Sequence, residues 1–450
     1  MASLWFRSAL LSSGWAEGVR VQVSAGRIAG LELGARPAAE DERHAVALPG
    51  LANVHSHAFQ RAMAGLTEIA GPLAEDFWTW REVMYRFVDR LSPDDVEAIA
   101  AWAYLEMLEA GFTRVAEFHY LHHDPAGRPY ARPAEMAARI VAAAESTGIG
   151  LTLLPVLYAH ADFGELPPER AQRRFLSSLE QYARILEDCR ALCSGLAEAV
   201  VGVAPHSLRA VSPAQLDAIV QLGANGPVHI HIAEQTREVE ACLEWCRQRP
   251  VEWLIDHASV DANWCLVHAL HMSETETRRV AESGAVVGVC PITEADLGDG
   301  ILPTPLLLQC GGSIGVGTDS NVLIDAAAEL RALEYAQRLA LRRRNVLAGA
   351  QGASTGRTLY AAAVKGGAQA SAGGGELALG RPADLISLNT DHPALSGRRD
   401  DALIDSLIFA TRGQAIDCVW RGGVKVVAGG VHREHARLEA RYRAVTARLN

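Results

Sequence analysis

The sequence predicts an α/β chain built on a (β/α)8 TIM-type barrel, with a small β-sandwich domain made from both chain ends. Three observations carry this reading. From residue 50 to about 320, eight short β-branched runs alternate with longer amphipathic stretches. Strands buried on both faces and separated by helices describe a parallel sheet, and eight such units describe a barrel. Nearly every run ends in His, Asp or Arg, on the face where barrels of this kind carry their chemistry. Both flanks instead show short alternating runs broken by glycine turns.

In chain order, residues 1–49 read as short strands ("VRVQVSAGRIAGLELG"). The eight barrel runs are "GLANVHSHAF", "TRVAEFHYLH", "GLTLLPVLYAH", "AVVGVAPHSLRA", "VHIHIAE", "WCLVHALH", "AVVGVCPIT" and "SIGVGTDS". Between them lie helical patterns such as "SPDDVEAIAAWAYLEMLEAG" and "RPAEMAARIVAAAESTG", opened by Ser or Pro and closed by Gly. The stretch "GGAQASAGGG" reads as a turn-rich connector, and 376–428 returns to short strands. The expected organisation is therefore a β-domain from 1–49 with 370–430, a barrel over 50–369, and an amphipathic C-terminal helix over 431–450.

Composition narrows the function. Apolar residues make up 49 % and charged residues 21 %, as in a globular protein with a large core. A net charge of −11 argues against nucleic acid and against a polybasic membrane face. No run reaches the roughly 18 apolar residues of a membrane span, and the N-terminus lacks the order of a signal peptide. The eight cysteines form no CxxC pair and read as reduced thiols of a cytoplasmic protein. The lysines are Lys365 and Lys425, so the first 364 residues offer no Schiff-base, P-loop or carbamate lysine.

The chemistry-bearing residues stand at the run ends: His55 and His57, His231 and Glu234, His268, and Asp319. Imidazoles with a carboxylate suit a divalent transition metal such as zinc, with one position left for water. Such a site generates hydroxide near neutral pH and can hydrolyse a C–N or C–O bond. A lone HxH is weak evidence, since alternate strand residues share one face. Several strand-end groups together are not weak. His229 reads as a packed histidine, and "EFHYLHHD" at 117–124 as a crowded strand end rather than a second metal site.

"PGLANVHSH", "HIHIAE", "LVHA" and "GTDS", in this order, resemble the amidohydrolase superfamily, and "GELALGRPADLISLN" resembles its C-terminal β-domain return. The resemblance implies His55, His57, His231 and Asp319 as metal ligands. Two-metal members bridge their ions with a fourth-strand carboxylated lysine or an acid. The fourth run here has neither, which implies one zinc ion per chain. It also implies Glu234 as a proton shuttle, with His268 either orienting and deprotonating water or acting as a distal ligand; Asp319 shares the catalytic work.

Longer words, among them "NVHSHAFQRAMAGL", "DFWTWREVMYR", "AEFHYLHHD", "HSLRAVSP" and "TEADLGDG", are similar to the formimidoylglutamate deiminases of histidine degradation, over essentially the whole chain. That resemblance implies Gln60, Arg81, Tyr120, His206 and Arg209 as substrate contacts, a small dicarboxylate substrate and a homodimer. Arginine suits a dicarboxylate because its planar fork pairs bidentately with carboxylate. Asp296 in "TEADLGDG" stands where relatives are expected to carry Asn. The expected reaction is hydrolysis of N-formimino-L-glutamate to N-formyl-L-glutamate and ammonia. The alternatives are a single-metal deaminase of an aromatic base such as guanine, and a non-catalytic barrel scaffold. Apolar stacking residues in place of two arginines would favour the first, and a scaffold has no use for the ligand set.

Overall fold

The computed structural model describes residues 2–71, 75–223, 226–412 and 415–449. The eight expected runs form the barrel strands: β1 (Leu51–Ser56), β2 (Phe112–His119), β3 (Gly150–Leu157), β4 (Val200–Val201 and Ala204–Pro205), β5 (Val228–Ile232), β6 (Trp264–His268), β7 (Val286–Val289) and β8 (Ser313–Val316). All pairings among them are parallel. β1, β2, β3, β5, β6 and β7 are buried along their whole length, as strands covered on both faces must be.

The strands form two sheets, β1 to β4 and β5 to β8, rather than one uninterrupted ladder. Single bridges join them at both seams. Ser56 meets Asp319 on one side; Val203 meets Val228 and Ser207 meets His231 on the other. β4 is split at Gly202, where an added Cβ would lie 2.4 Å from the Pro227 carbonyl oxygen. The seams matter for function because they bring Asp319 and His231 to the strand ends that face them.

Helices cover the strands and begin as the sequence signals. Ser92 caps Pro93–Glu109 in a capping box, with Pro at the first turn. Gly148 closes Glu135–Thr147 in the left-handed conformation. The connector at 366–375 is a correction: its first half continues the helix Thr355–Ala370. Glycine is needed there because an added Cβ on Gly366 would lie 1.9 Å from the Ile314 carbonyl oxygen, so the helix rests directly on β8. The C-terminal return also contains a helix, Asp401–Ala410, besides its short strands.

The two chain ends build one eight-stranded sheet beside the barrel. Its halves join where Leu385–Leu388 pairs antiparallel with Glu42–Pro49, Ile386 opposite Leu48. Phe6, Val19, Val21, Ile28, Leu385 and Trp420 fill its core, with Phe6 and Trp420 edge to face at 6.0 Å. The final helix, His435–Leu449, stacks Tyr442 on Trp102 of the helix Pro93–Glu109, 5.6 Å between centroids. No helix among the described residues is long and apolar enough to cross a membrane.

Candidate active site

The strand ends bring the expected ligands to one point. His55 Nε2 lies 3.2 Å from His57 Nε2 and 2.9 Å from His231 Nε2. Asp319 Oδ1 is 3.4 Å from His55 Nε2 and 3.3 Å from His57 Nε2, and Asp319 Oδ2 is 3.8 Å from His268 Nε2. Glu234 Oε1 reaches His268 Nε2 at 3.6 Å. His55, His231, His268 and Asp319 present ligand atoms within 4.8 Å of one another, with His57 beside them.

The orientation of the rings fits a metal. His57 Nδ1 is hydrogen-bonded to the Phe118 carbonyl at 2.9 Å, and His231 Nδ1 to the His206 carbonyl at 3.1 Å. His268 Nδ1 faces Glu294 Oε1 at 3.2 Å. A ring that donates from Nδ1 offers the Nε2 lone pair inward, the usual posture of a metal-ligating histidine. The donor set of imidazole nitrogens and a carboxylate oxygen suits a divalent ion such as zinc.

Backbone strain marks the same places. Ala233, His268, Ala269, Asp319 and Asn321 all have positive φ, between 44° and 69°. Non-glycine residues hold that conformation only where the surroundings enforce it. Here they do. Asn321 Nδ2 donates to the carbonyls of Asp319 at 3.0 Å and His57 at 3.1 Å. Its Oδ1 accepts from Thr318 Oγ1 at 2.6 Å, and Thr318 Oγ1 in turn accepts from Asn53 Nδ2 at 2.7 Å. The Glu238 carboxylate accepts from the backbone N–H groups of Ala233 at 3.0 Å and Glu234 at 3.2 Å, fastening the turn that carries Glu234.

Burial and neighbouring charge tune the acids and bases. Burial pushes Glu234 up to about 7, the Asp319 charge adding and His268 opposing. Burial alone would lower His268, but Glu234, Glu294 and Asp319 outweigh it and raise the imidazole to about 10. Burial opposes ionisation of Asp319, yet the hydrogen bond from His55 and the charges of His55, His57 and His268 hold it well below the usual carboxylate range. A carboxyl near neutrality beside a proton-hungry imidazole is the pairing that acid–base chemistry requires.

The expected substrate contacts line one pocket with this cluster: Gln60, Arg81, Tyr120, His206 and Arg209. Gln60 Nε2 donates to the Tyr120 hydroxyl at 2.8 Å, leaving Gln60 Oε1 buried without a partner. Arg81 and Arg209 likewise have buried Nε atoms without a partner. Arg81 comes from the helix Phe77–Val88, which Asp76 caps in a capping box. Leu297 lines the pocket, whereas Asp296 is exposed and lies on the adjoining outer groove.

His229 packs away from the cluster, its Nε2 on the Ala370 carbonyl at 2.8 Å. His122 and His123 are bonded through Nε2 to the carbonyls of Val156 at 2.8 Å and Leu176 at 2.6 Å. Sequence reasoning missed Asn53, Glu117, Glu238, Glu294, Asp299 and Asn321. Glu117 Oε1 accepts from Ala58 N–H at 2.7 Å, directly after His57, and burial pushes this carboxyl up to about 8. Asp299 accepts from Gln235 Nε2 and its other oxygen is buried without a partner. Glu294 and Asp299 stand in the "TEADLGDG" word, which carried the only available signal for them.

Comparison with known proteins agrees with this geometry. The profile of the amidohydrolase family matches residues 46–426, and that of the formimidoylglutamate deiminase HutF N-terminal domain matches residues 1–45. The chain is 48 % identical over 440 residues to a formimidoylglutamate deiminase from Pseudomonas aeruginosa, covering 97 % of each chain. An 8-oxoguanine deaminase from the same species is 30 % identical over 418 residues, covering 90 % of this chain and 88 % of the relative. A crystal structure of an amidohydrolase from Brucella melitensis superposes with a TM-score of 0.96 at 50 % identity, covering 100 % of both chains. The chain belongs to the amidohydrolase family and, within it, to the formimidoylglutamate deiminases.

Proposed function

We propose that the protein hydrolyses N-formimino-L-glutamate to N-formyl-L-glutamate and ammonia, as a zinc-dependent step of histidine degradation. The observation that carries this reading is the meeting, in one pocket, of the His/Asp cluster with the guanidinium groups of Arg81 and Arg209. A guanidinium with free N–H groups in a desolvated pocket selects carboxylate.

His55, His57, His231 and Asp319 would hold one zinc ion, with His268 beside it. A divalent ion bound there lowers the pKa of water and so supplies the nucleophile near neutral pH. The chain's own groups do the rest. The ionised Asp319 carboxylate accepts the proton of the attacking water, and the imidazole of His268, 3.8 Å from Asp319 Oδ2 and 3.6 Å from Glu234 Oε1, orients that water. The water oxygen bonds to the formimino carbon as its C=N electrons move to nitrogen. Glu234 then passes to that nitrogen, in two steps, the proton taken from water and the hydroxyl proton of the tetrahedral adduct, and the nitrogen leaves as ammonia as the C=O bond forms. Arg81 and Arg209 hold the glutamate carboxylates, and Gln60 and Tyr120 offer polar atoms to the amidine nitrogen that links the formimino carbon to glutamate.

The 8-oxoguanine deaminase relative raises a purine-type base as the alternative substrate. The buried, unpartnered Nε atoms of Arg81 and Arg209 in the pocket favour the dicarboxylate. The test measures ammonia release by the zinc-loaded protein from N-formimino-L-glutamate, guanine and 8-oxoguanine. Turnover of the first alone is expected. Turnover of a purine without turnover of N-formimino-L-glutamate would overturn the proposal.

A further inference from the structure

Trp78 is the second residue of the helix Phe77–Val88, and three guanidinium groups converge on its indole. Arg237 Cζ lies 4.4 Å from the ring centroid, Arg81 Cζ 4.6 Å and Arg209 Cζ 5.7 Å. They arrive from three places in the chain: this helix, the loop after β4, and the helix Thr236–Cys246. Arg81 and Arg209 line the catalytic pocket, while Arg81, Arg237 and Trp78 line an adjoining groove. Arg81 therefore faces both spaces.

Three like charges around one ring repel each other. The negative π face offsets part of that repulsion, and a bound anion offsets more. Stacking uses the flat face of a guanidinium and leaves its edge N–H groups free, which is the edge that grips a carboxylate. The buried Nε atoms of Arg81 and Arg209 have no partner. Glu238, next to Arg237 in sequence, accepts from the backbone N–H groups of Ala233 and Glu234 while its charge also favours the Arg209 guanidinium, and Glu82, Asp89 and Glu169 line the outer groove with Arg237.

We propose that Trp78 is a positioning residue that assembles Arg81, Arg209 and Arg237 into one receptor for a dicarboxylate, with Arg237 contacting the outer carboxylate. This deepens the function proposed above and rests on it. Trp78 holds the guanidinium planes, and removing it releases Arg81 and Arg237 to solvent. Discrimination between a dianion and a monoanion then falls, while the cluster beneath stays intact.

The test is calorimetric titration of the zinc-loaded protein with glutarate and with butyrate, which differ by one carboxylate. Trp78→Ala is expected to weaken glutarate by about 10-fold and butyrate by less than about threefold. Trp78→Phe keeps a ring face and is expected to stay within about threefold of wild type for both ligands. Arg237→Ala is expected to weaken glutarate alone. Equal weakening of both ligands by Trp78→Ala, no weakening of either, or unchanged glutarate binding in Arg237→Ala would overturn the proposal. If Trp78→Ala loses its native circular dichroism, Arg237→Ala decides by itself. Titration needs no turnover, so a protein that binds glutarate in this pattern yet leaves N-formimino-L-glutamate intact refutes the reaction and keeps the receptor.

Discussion

His57, His231 and His268 sit at barrel-strand ends and are each fixed through Nδ1 by a carbonyl or a buried carboxylate. Arg81, Arg209 and Arg237 come instead from a helix, a loop and a second helix, and meet over one indole. The inner groups are held by hydrogen bonds and strained backbone, so their geometry has one solution. The outer groups meet the indole through cation–π contacts, with guanidinium carbons 4.4–5.7 Å from the ring centroid, and that attraction is less directional than a hydrogen bond. Under the function proposed above, bond breaking falls to the rigid half and substrate choice to the adaptable half. The substitutions that follow should separate the two.

The largest effect is expected at the metal ligands. Prolonged chelation should abolish turnover until zinc is returned, with about one ion per chain by elemental analysis. Asp319→Asn should leave a folded barrel with severely reduced turnover. Full activity in the chelated protein, or two tightly held ions, would break the assignment of the inner half.

Glu234→Gln comes next. It preserves shape but cannot pass a proton, and general acid–base contributions are typically about 10²–10⁴-fold. Turnover should fall by at least about 100-fold with the metal retained. A near-normal kcat would return Glu234 to the role of a buried turn residue fastened by Glu238.

Arg209→Ala probes the outer half. Removing one partner of a desolvated charge pair typically costs about 2–5 kcal/mol. That predicts a loss in kcat/KM of more than about 30-fold for the dicarboxylate, and a smaller loss for an analogue without the matching carboxylate. Equal losses for both compounds would point to a folding defect rather than recognition.

The smallest effect on activity is expected from Glu117→Gln, beneath the inner half. Burial raises this carboxyl from 4.5 to about 8, so the folded chain keeps a proton that the unfolded chain releases between those values. Stability must therefore fall as pH rises through that window and level off above it. Glu117→Gln keeps the acceptor for Ala58 and removes the titration. Its denaturation midpoint should vary less with pH, and at pH 9 it should exceed wild type by an amount on the order of a few kcal/mol. Unchanged pH dependence would show that the carboxyl ionises without penalty.

Much of the inner half was legible in the sequence. His55, His57, His231, His268 and Asp319 each end an apolar run, and period-two alternation on a strand points such residues to one face. The eight strands were legible for the same reason. The supports were not. Asn53 and Glu117 lie inside apolar runs, and their partners, Thr318 at 265 residues and Ala58 at 59 residues, are fixed only by barrel closure. The helical half of the glycine-rich connector was hidden because glycine signals a turn, whereas close contact with β8 is what demands it here. Nothing in the sequence singles out Trp78 or Arg237 from the other tryptophans and arginines. Their meeting belongs to packing between helices, which no local pattern encodes.

Product analysis tests the division of labour most directly. Water adds to the same formimino carbon whichever C–N bond then breaks, so the cluster alone does not choose between them. If the arginines hold the glutamate end away from Glu234, the terminal imino nitrogen is the one protonated. Mass spectrometry of a completed reaction should then show ammonia and N-formyl-L-glutamate in equal amounts, with no formamide. Formamide and free glutamate as the main products would contradict the account, even with every metal ligand correctly assigned.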